Sequence, residues 1–392
     1  MSSQAKLPFG LPAPVGGAVD LLIVAGEHSG DEHAAKVVHE LRAKQPGIKV
    51  CALGGPELAA AGAQLLHDLT ATSVVGFVEV LKHYSFFKAL FDATLRWIEQ
   101  YQPRAVCFVD YPGFNLRLAA QLRERGLSLK GGGKIQMLYY ISPQIWAWKG
   151  KRRFTMARDL DGLAVIFPFE PACYADTKLP VEFVGHPFLA DDYAPPVRYD
   201  PAGPVLLLPG SRVQAVRRIF RDLLGAYEAY EQRPAVVLYP SDEIRAELER
   251  AVANSPVRGM IQLRPVGGVA FAASAVLTSS GTMSLHCALA GIPGAIAYRT
   301  NPLTYLLARW WVKIEYIGIA NLLLKEPMYP EFIQGAATAS ALAAQLHACV
   351  SDGARRQRTQ DQATRLRELL HASTSGTAAD WLLRHLPPAG RG

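Results

Sequence analysis

The sequence predicts an α/β protein of two domains, each built on a parallel sheet. Apolar runs of strand length alternate with helical patterns, and these runs are continuously apolar. Strands of this kind are buried on both faces, as in a parallel sheet covered by helices. The same alternation starts again beyond a proline-rich stretch near the middle of the 392 residues, a length that fits two domains.

The first half contains five predicted strands and one clear amphipathic helix, over Asp31–Lys44. The strands are Asp20–Ala25, Lys49–Leu53, Ala105–Val109, Gln136–Tyr140 and Leu163–Phe167. The first strand runs into Gly26-Glu27-His28-Ser29-Gly30, and the third runs into Asp110-Tyr111-Pro112-Gly113.

The second half begins after the stretch 193–204, which contains four prolines and is the best candidate for a linker. Its predicted strands are Val205–Leu208, Val236–Tyr239, Ala275–Thr278 and Gly294–Tyr298, and the tail from 354 to 385 is helical. We therefore predict domains over 1–195 and 196–353, with C-terminal helices over 354–392 that return to the first domain or to a dimer partner. Two such domains would face a ligand cleft with the carboxyl ends of their sheets.

Composition narrows the class of protein. The formal net charge of +7 suits anionic partners such as phospholipid headgroups, nucleotides or nucleic acid. The cysteines are few, odd in number and without a C-x-x-C pair, so we expect free thiols in a reducing compartment and neither a disulfide framework nor a zinc site. Neither a signal peptide nor an apolar run long enough to span a bilayer is recognisable, which predicts a cytoplasmic protein.

Two corners of the second domain have the composition of an anion site. Ser279-Ser280-Gly281-Thr282 joins a strand to a helix N-terminus, where free backbone N–H groups and hydroxyl donors meet. Alone, this stretch could equally be an ordinary capped turn. A second corner, Ser211-Arg212 after Pro209-Gly210, adds a cation that can bind a phosphate through two N–H groups. Two such corners indicate a diphosphate, as in a nucleotide sugar, and neither matches a dinucleotide or P-loop motif.

In the first domain, the loop Gly26–Asp31 has the position of a phosphate loop but carries Glu27 and Asp31. Carboxylates repel phosphate and accept hydrogen bonds from hydroxyl groups, so the loop favours a sugar or catalysis; a helix cap at Ser29 or Asp31 is the alternative. Asp110 follows a buried strand, where the residues of a ligand cleft concentrate.

The stretch 139–148 (YYISPQIWAW) interleaves aromatic and polar residues and precedes a basic run from Lys149 to Arg153. Aromatic residues at this density usually form core, but the polar residues among them favour a site. Asp159-Leu160-Asp161 spells a metal motif of some sugar transferases, but it ends a helix instead of following a strand. We therefore expect a solvated turn there and no metal.

A dozen motifs resemble, in order, those of the lipid-A-disaccharide synthases, inverting glycosyltransferases of the two-domain Rossmann-like GT-B fold. They extend from about Leu21 to the end of the chain and include GEHSGDEHAA, DYPGFNL, YYISPQIWAW, FPFEP, FVGHP, LLPGSR, SSGTMSL, NLLLKEPMYPEFIQ and SGTAADWLL. The resemblance implies transfer from UDP-2,3-diacylglucosamine to 2,3-diacylglucosamine 1-phosphate, giving the lipid A disaccharide 1-phosphate and UDP without a cofactor.

The resemblance also implies roles for individual residues. Asp110 matches the general base for the acceptor's 6-hydroxyl, and Arg212 would stabilise the departing UDP. The remaining donor-side residues are Ser211, Ser279, Ser280, Gly281, Thr282, His286, Asn321, Glu331 and Gln334. The acceptor-side residues are Gly26, Glu27, Ser29, Gly30, Asp31, Asn115, Ser142, Gln144 and Trp146.

Two positions depart from the family pattern. His286 and Ala215 stand where the family usually carries glutamate. A neutral imidazole accepts one hydrogen bond where a carboxylate accepts several, and the positive end of a helix disfavours imidazolium. We expect His286 to face the ribose of the donor in a divergent but active enzyme.

Because both substrates carry acyl chains, we expect a protein peripheral to the inner membrane, in contact with the inner-leaflet phospholipid surface. The predicted membrane contacts are Phe86, Phe87, Phe91, Trp97, Trp310 and Trp311. The family forms dimers, so a homodimer is a further expectation, whereas nucleic acid is not an expected partner. A non-catalytic lipid- or nucleotide-binding relative and a UDP-N-acetylglucosamine epimerase of the same fold are the alternative functions.

Overall fold

A computed structural model describes residues 10–73, 84–190, 193–230, 233–267, 269–301, 315–371 and 373–388. The chain divides into two compact units. The first unit comprises Met1–Pro187 and Ser373–Gly392, and the second comprises Phe188–Ala372. The boundary thus lies before the proline-rich stretch, which belongs to the second unit.

Seven strands of the described residues form the sheet of the first unit. They are β1 (Leu21–Ala25), β2 (Val50–Gly54), β3 (Gln64–Asp68), β4 (Ala105–Val109), β5 (Gln136–Tyr140), β6 (Gly162–Val165) and β7 (Val181–Phe183). The sheet is parallel and has the order β3-β2-β1-β4-β5-β6-β7. Its helices are α1 (His28–Lys44), α2 (Pro56–Ala60), α3 (Thr70–Ser73), α4 (Tyr84–Tyr101), α5 (Pro112–Glu124) and α6 (Arg152–Asp159).

The second unit, as far as it is described, has a six-stranded parallel sheet. Its strands are β9 (Val205–Leu208), β10 (Ala235–Tyr239), β11 (Ile261–Pro265), β13 (Ala275–Thr278), β14 (Gly294–Tyr298) and β15 (Glu331–Ile333). Their order in the sheet is β11-β10-β9-β13-β14-β15. A short parallel pair, β8 (Val197–Tyr199) and β12 (Phe271–Ala273), lies apart from it.

The helices of the second unit are α7 (Val213–Tyr230), α8 (Asp242–Val252), α9 (Thr282–Leu289), α10 (Ile319–Leu324), α11 (Ala339–Ser351) and α12 (Gly353–Leu370). Short 3₁₀ turns occur at Leu129–Gly131, Glu170–Tyr174, Pro187–Leu189, Arg258–Met260 and Gln334–Ala336. Each sheet is covered by its own buried apolar cluster, so each unit has its own core.

The last helix, α13 (Ala378–His385), belongs to the first unit. Thr377 and Asp380 form a capping box that starts it. Trp381 is fully buried, and a Cβ atom on Gly162 of β6 would lie 3.2 Å from its ring. Arg384 pairs with Glu182 of β7 at 2.8 Å. Of the predicted C-terminal helices, α13 therefore returns to the first unit, whereas α12 packs on α9 and α10 of the second.

The nine predicted strands lie close to their predicted bounds because each is an almost completely buried apolar run, whereas the edge strands β3, β7, β11 and β15 are only partly buried and were not predicted. The structure gives β4, β5, β9, β13 and β14 the predicted bounds. The first helix begins at His28, three residues earlier than predicted, because Glu27 already has the extended backbone of an N-cap.

The expected solvated turn at 159–161 is wrong for Asp159, which is 1% exposed. Its Oδ1 accepts hydrogen bonds from Arg123 of α5 and Arg158 of α6, each at 2.7 Å. Asp161 accepts one from the Met137 amide at 2.7 Å. In the described ranges, no group of three or more histidine, cysteine, aspartate or glutamate residues could hold a metal ion.

Helix α4 corrects one predicted membrane contact. Trp97 is 3% exposed and donates from Nε1 to the Pro12 carbonyl at 2.9 Å, so it belongs to the core. Phe91 packs edge-on against Phe114 with ring centroids 5.4 Å apart. Phe86 and Phe87 are partly exposed, and Trp310 and Trp311 lie outside the described residues. Among the helices described, none has both the length and the apolar character to cross a bilayer.

Candidate active site

The first unit has a topological switch point between β1 and β4. From β1 the chain moves outward to β2 and β3, and from β4 it moves the other way to β5, β6 and β7. Loops that leave two neighbouring strands in opposite directions open a crevice at the carboxyl edge of the sheet, where ligands of such folds bind. Gly26 and Glu27 follow β1, and Asp110 and Tyr111 follow β4. The switch point therefore brings together two of the stretches that the sequence singled out.

Asp110 is held in a strained conformation at this edge. Asp110 and Tyr111 have φ values of 45° and 50°, in the left-handed region, which costs about 1–3 kcal/mol for each such residue. The Asp110 amide donates to the Tyr140 carbonyl at 3.1 Å. The Asp110 carbonyl accepts from Asn115 Nδ2 at 2.7 Å and from the Tyr139 hydroxyl at 2.5 Å. Three hydrogen bonds thus fix the backbone from which a half-buried carboxylate projects.

Asn115 lies beneath this loop instead of facing a ligand, which corrects its predicted acceptor-side role. Its side chain is fully buried. Besides the Asp110 carbonyl, Nδ2 lies 3.2 Å from the Val24 carbonyl of β1 and 3.4 Å from the Val109 carbonyl of β4. Asn115 therefore joins the ends of the two strands and positions Asp110.

Gly26 is required by the ring of Tyr111. A Cβ atom at Gly26 would lie 2.2 Å from that ring, so only glycine lets the loops after β1 and β4 approach so closely. Glu27 is half-buried at the start of α1, and its charge adds to burial in raising the pKa of Tyr111. Ser29 is exposed, and Gly30 is buried with its Cβ position 3.7 Å from the Val109 carbonyl. Glu27 and Ser29 are thus the predicted acceptor-side residues of this loop whose side chains a ligand could reach.

Asp31 has a structural task, which corrects its predicted place among the acceptor-side residues. Its side chain is fully buried. The carboxylate accepts hydrogen bonds from the amides of Gly55 at 2.7 Å, Glu57 at 3.0 Å and Leu58 at 3.3 Å. These amides form the N-terminus of α2, whose positive end favours an anion. Asp31 therefore joins α1 to the loop after β2.

We expect Asp31→Ala to lower the free energy of unfolding by about 3 kcal/mol, because three buried or half-buried N–H groups lose a charged acceptor. Urea denaturation followed by circular dichroism measures the change. Glu32→Ala is the matched control, because Glu32 is next to Asp31 in the sequence and its own carboxylate is 54% exposed. Equal midpoints for the two variants would contradict the structural role of Asp31.

The aromatic stretch after β5 is mostly packed inside the first unit. Ser142 is buried with its hydroxyl 2.7 Å from the Tyr174 hydroxyl, so its predicted contact with an acceptor is corrected to a core contact. Trp146 is half-buried and packs edge-on against Phe169 with centroids 5.7 Å apart. Gln144 is exposed, so a ligand could reach its side chain.

A buried carboxyl lies behind the same stretch. Glu170 is 1% exposed and accepts a hydrogen bond from the Phe167 amide at 3.0 Å. Burial raises the pKa of Glu170 to about 8. A glutamate within FPFEP has the pattern of an ordinary surface turn, so its burial is not evident from the sequence.

The second unit has its own switch point, between β9 and β13. Leu208 of β9 pairs with Thr278 of β13, and from these strands the chain departs in opposite directions. The two predicted anion corners therefore lie side by side. The Cβ position of Gly210, whose φ is 108°, lies 3.1 Å from Ser279 Oγ, and the Ser279 amide donates to the Leu208 carbonyl at 2.8 Å. The strand pairing thus brings together the corners that the sequence placed about 70 residues apart.

These corners present donors that an anion can reach. Ser211, Arg212, Gly281 and Thr282 are exposed, and Ser279 and Ser280 are half-exposed. Gly281 is the N-cap of α9 and offers no side chain to bond the first amides of the helix. Arg212 precedes α7, so a cation and two helix N-termini adjoin one edge of the sheet.

His286 lies one turn inside α9 and is 9% exposed. Its ring stacks on Phe188 with centroids 3.9 Å apart and on Tyr193 at 5.6 Å. The Tyr193 hydroxyl is hydrogen-bonded to His286 Nδ1. His286 therefore has aromatic partners, which are not evident from the sequence because Phe188 and Tyr193 precede it by more than 90 residues.

The remaining donor-side predictions fall on a bonded group around β15. Glu331 accepts hydrogen bonds from the amides of Ile317 and Gly318, each at 2.9 Å, and from Asn321 Nδ2 at 2.8 Å. Asn321 is fully buried and bonds both the amide and the carbonyl of Tyr329, which corrects its predicted place in the pocket lining.

Gln334 follows β15 and is half-buried. Its side chain bonds the amide and the carbonyl of Thr300 at 3.0 and 3.1 Å. Because β14 and β15 are neighbours, this pair fixes the carboxyl edge next to the anion corners.

A family model described as Lipid-A-disaccharide synthetase matches residues 21–383. The chain belongs to the lipid-A-disaccharide synthetase family. A lipid-A-disaccharide synthase from Nitrosococcus oceani is 34% identical over 371 residues, covering 91% of this chain and 94% of that protein. Membership of the lipid-A-disaccharide synthetase family makes the chain a glycosyltransferase of lipid A biosynthesis.

Solved structures agree on the fold. The glycotransferase of kitacinnamycin has a TM-score of 0.57 at 16% identity and covers 94% of this chain and 100% of its own. UDP-GlcNAc 2-epimerase from Neisseria meningitidis bound to UDP-GlcNAc has a TM-score of 0.56 at 11% identity, covering 90% and 99%. The lipid-A-disaccharide synthetase family member described here therefore has the predicted α/β architecture of GT-B glycosyltransferases, with two Rossmann-like units.

Proposed function

We propose that this chain transfers 2,3-diacylglucosamine from UDP to the 6-hydroxyl of 2,3-diacylglucosamine 1-phosphate, with inversion at the anomeric carbon. The products are the β-1,6-linked lipid A disaccharide 1-phosphate and UDP. The first unit binds the acceptor and the second binds the UDP-sugar, at the cytoplasmic face of the inner membrane. The observation that carries this proposal is the position of Asp110, which lies at a sheet switch point on a backbone fixed by three hydrogen bonds.

In the proposed mechanism, Asp110 is the general base. Its carboxylate takes the proton of the acceptor's 6-hydroxyl as that oxygen attacks C1 of the donor sugar. Attack opposite to the bond from C1 to the diphosphate oxygen breaks that bond and inverts the configuration. Asn115 and Tyr139 hold the Asp110 backbone, so the carboxylate needs little reorganisation before reaction.

The leaving UDP carries the negative charge that forms as the bond breaks. Arg212 and the corner 279–282 supply a guanidinium and helix N-terminal amides, which offset this charge. Exposure of Arg212 and Thr282 leaves both within reach of a ligand. Ser211, Ser279, Ser280 and Gly281 complete this proposed diphosphate site, and Glu331 and Gln334 support it from the neighbouring strand.

The test incubates purified protein with both acylated sugars in detergent micelles and follows UDP release and disaccharide formation. We expect UDP and disaccharide in equal amounts, no UDP when the acceptor is left out, and a β linkage by NMR. Epimerisation of UDP-N-acetylglucosamine without transfer would assign the chain to the epimerases instead. UDP binding without either reaction would indicate a non-catalytic relative.

A further inference from the structure

A surface of the first unit remains outside the proposed chemistry. We infer that Trp148, Lys149, Lys151, Arg152 and Phe154, here called the basic-aromatic surface, bind an anionic lipid bilayer. This inference rests on the proposed function for its reason, since acylated substrates reside in a bilayer. Trp97 is not part of such a surface, because the structure places its side chain in the core.

Two large aromatic side chains of the basic-aromatic surface are exposed to solvent. Trp148 is 46% exposed and Phe154 is 48% exposed, although the preceding aromatic stretch is mostly buried, with Tyr139 at 0% and Tyr140 at 5%. Large aromatic side chains are costly to leave in water and are favoured where an apolar and a polar phase meet. Two of them within seven residues form a surface that a bilayer interface would cover.

The basic-aromatic surface also carries positive charge. Residues 149–158 contain five lysines or arginines and no carboxylate. Arg153 is bound by Asp176 at 2.7 Å, and Arg158 by Asp159 at 2.7 Å. Within the part of the chain that the structure describes, no ion pair forms on Lys149, Lys151 or Arg152.

The geometry interleaves these cations with the rings. Lys149 Nζ lies 4.4 Å from the centroid of the Trp148 ring, and Arg152 Cζ lies 5.7 Å from it. Lys151 and Arg152 also begin α6, where the helix dipole disfavours positive charge. These cations therefore do not stabilise α6, and their charge is complementary to the phosphates of an anionic bilayer.

The basic-aromatic surface lies next to the strand that leads into Asp110. The basic-aromatic surface follows β5, which pairs with β4 directly before Asp110. Both loops leave the same carboxyl edge of the sheet. A bilayer bound at this surface would present acyl-sugar headgroups on the side of the first unit that carries Asp110.

The test measures sedimentation of the full chain with vesicles of phosphatidylcholine, with and without phosphatidylglycerol. One variant carries Lys149→Gln, Lys151→Gln and Arg152→Gln, and a second carries Trp148→Ser and Phe154→Ser. Each basic residue near an anionic membrane raises partitioning about fivefold, so the first variant should lose about 100-fold on anionic vesicles. The second variant should lose binding to both kinds of vesicle.

The matched control carries Arg218→Gln, Arg264→Gln and Arg358→Gln, three exposed positions of the second unit with the same change in net charge. It should bind vesicles like the parent protein. Equal binding by the first variant and this control would overturn the inference. If the first variant bound vesicles like the parent protein but no longer bound single-stranded RNA, that result would also overturn the inference and would assign the surface to nucleic acid.

UDP release in micelles separates this inference from the proposed function. Both surface variants should keep it, because micelles deliver the substrates without a bilayer. A parent protein that binds anionic vesicles yet releases no UDP would contradict the proposed function and leave the surface assignment standing.

Discussion

Asp110→Asn is expected to lower the turnover number by about 10²–10⁴-fold, the usual contribution of a positioned general base. The amide keeps the size of the carboxylate but cannot take the proton of the 6-hydroxyl. Asparagine also tolerates the left-handed backbone with φ of 45°, so the loop should keep its conformation. Initial rates of UDP release in micelles measure the effect.

Two further measurements test whether the loss of turnover comes from the general base alone. UDP affinity, determined by calorimetry, should be unchanged, because the proposed UDP site belongs to the second unit. Asp92→Asn is the control, as Asp92 is an exposed carboxylate paired with Lys88 at 2.8 Å on α4. A rate for Asp110→Asn equal to that of the control would remove Asp110 from the mechanism.

Arg212→Gln is expected to weaken UDP binding by about 10–100-fold, since hydrogen bonds to a charged group contribute about 1.5–3 kcal/mol. The UDP affinity of Arg212→Lys should lie between those of the parent protein and Arg212→Gln. An ammonium keeps the positive charge but lacks the two parallel N–H groups of guanidinium. Calorimetric titration with UDP gives the dissociation constants directly.

The control for Arg212 lies on the helix that follows it. Arg218 is exposed on α7 and is not part of either anion corner, so Arg218→Gln should bind UDP like the parent protein. Raising the salt concentration should reduce the difference in UDP affinity between Arg212→Gln and the parent protein, because salt screens the attraction between an exposed cation and the diphosphate. Identical affinities for the two glutamine variants would exclude Arg212 from the diphosphate site.

The central strands of both sheets were predictable because buried parallel strands are short, continuously apolar runs, whereas the partly buried edge strands lack that pattern. The carboxyl ends of β1, β4, β9 and β13 followed from those runs, and with them the positions of Asp110 and Arg212. Parallel pairing then places residues from distant parts of the sequence at one edge, as Leu208 and Thr278 illustrate.

The roles of buried polar residues were not predictable in the same way. A carboxylate in a loop, such as Asp31, has the same sequence signature whether it meets a ligand or the amides of α2. The same holds for Asn115 and Asn321, which are fully buried. Only the residues that contact such a side chain in the folded protein show which role it has. His286 is a further example, because its partner Tyr193 is distant in the sequence.

The return of α13 to the first unit has a consequence for how the chain is made. A ribosome delivers the whole second unit before it delivers Trp381, whose indole fills space beside Gly162. The domain that starts first is thus finished last, and until then its sheet lacks a cover over β5 and β6. Nascent chains would therefore pass through a stage at which the second unit is complete but the first unit still lacks α13. At that stage the first unit is accessible to chaperones and proteases.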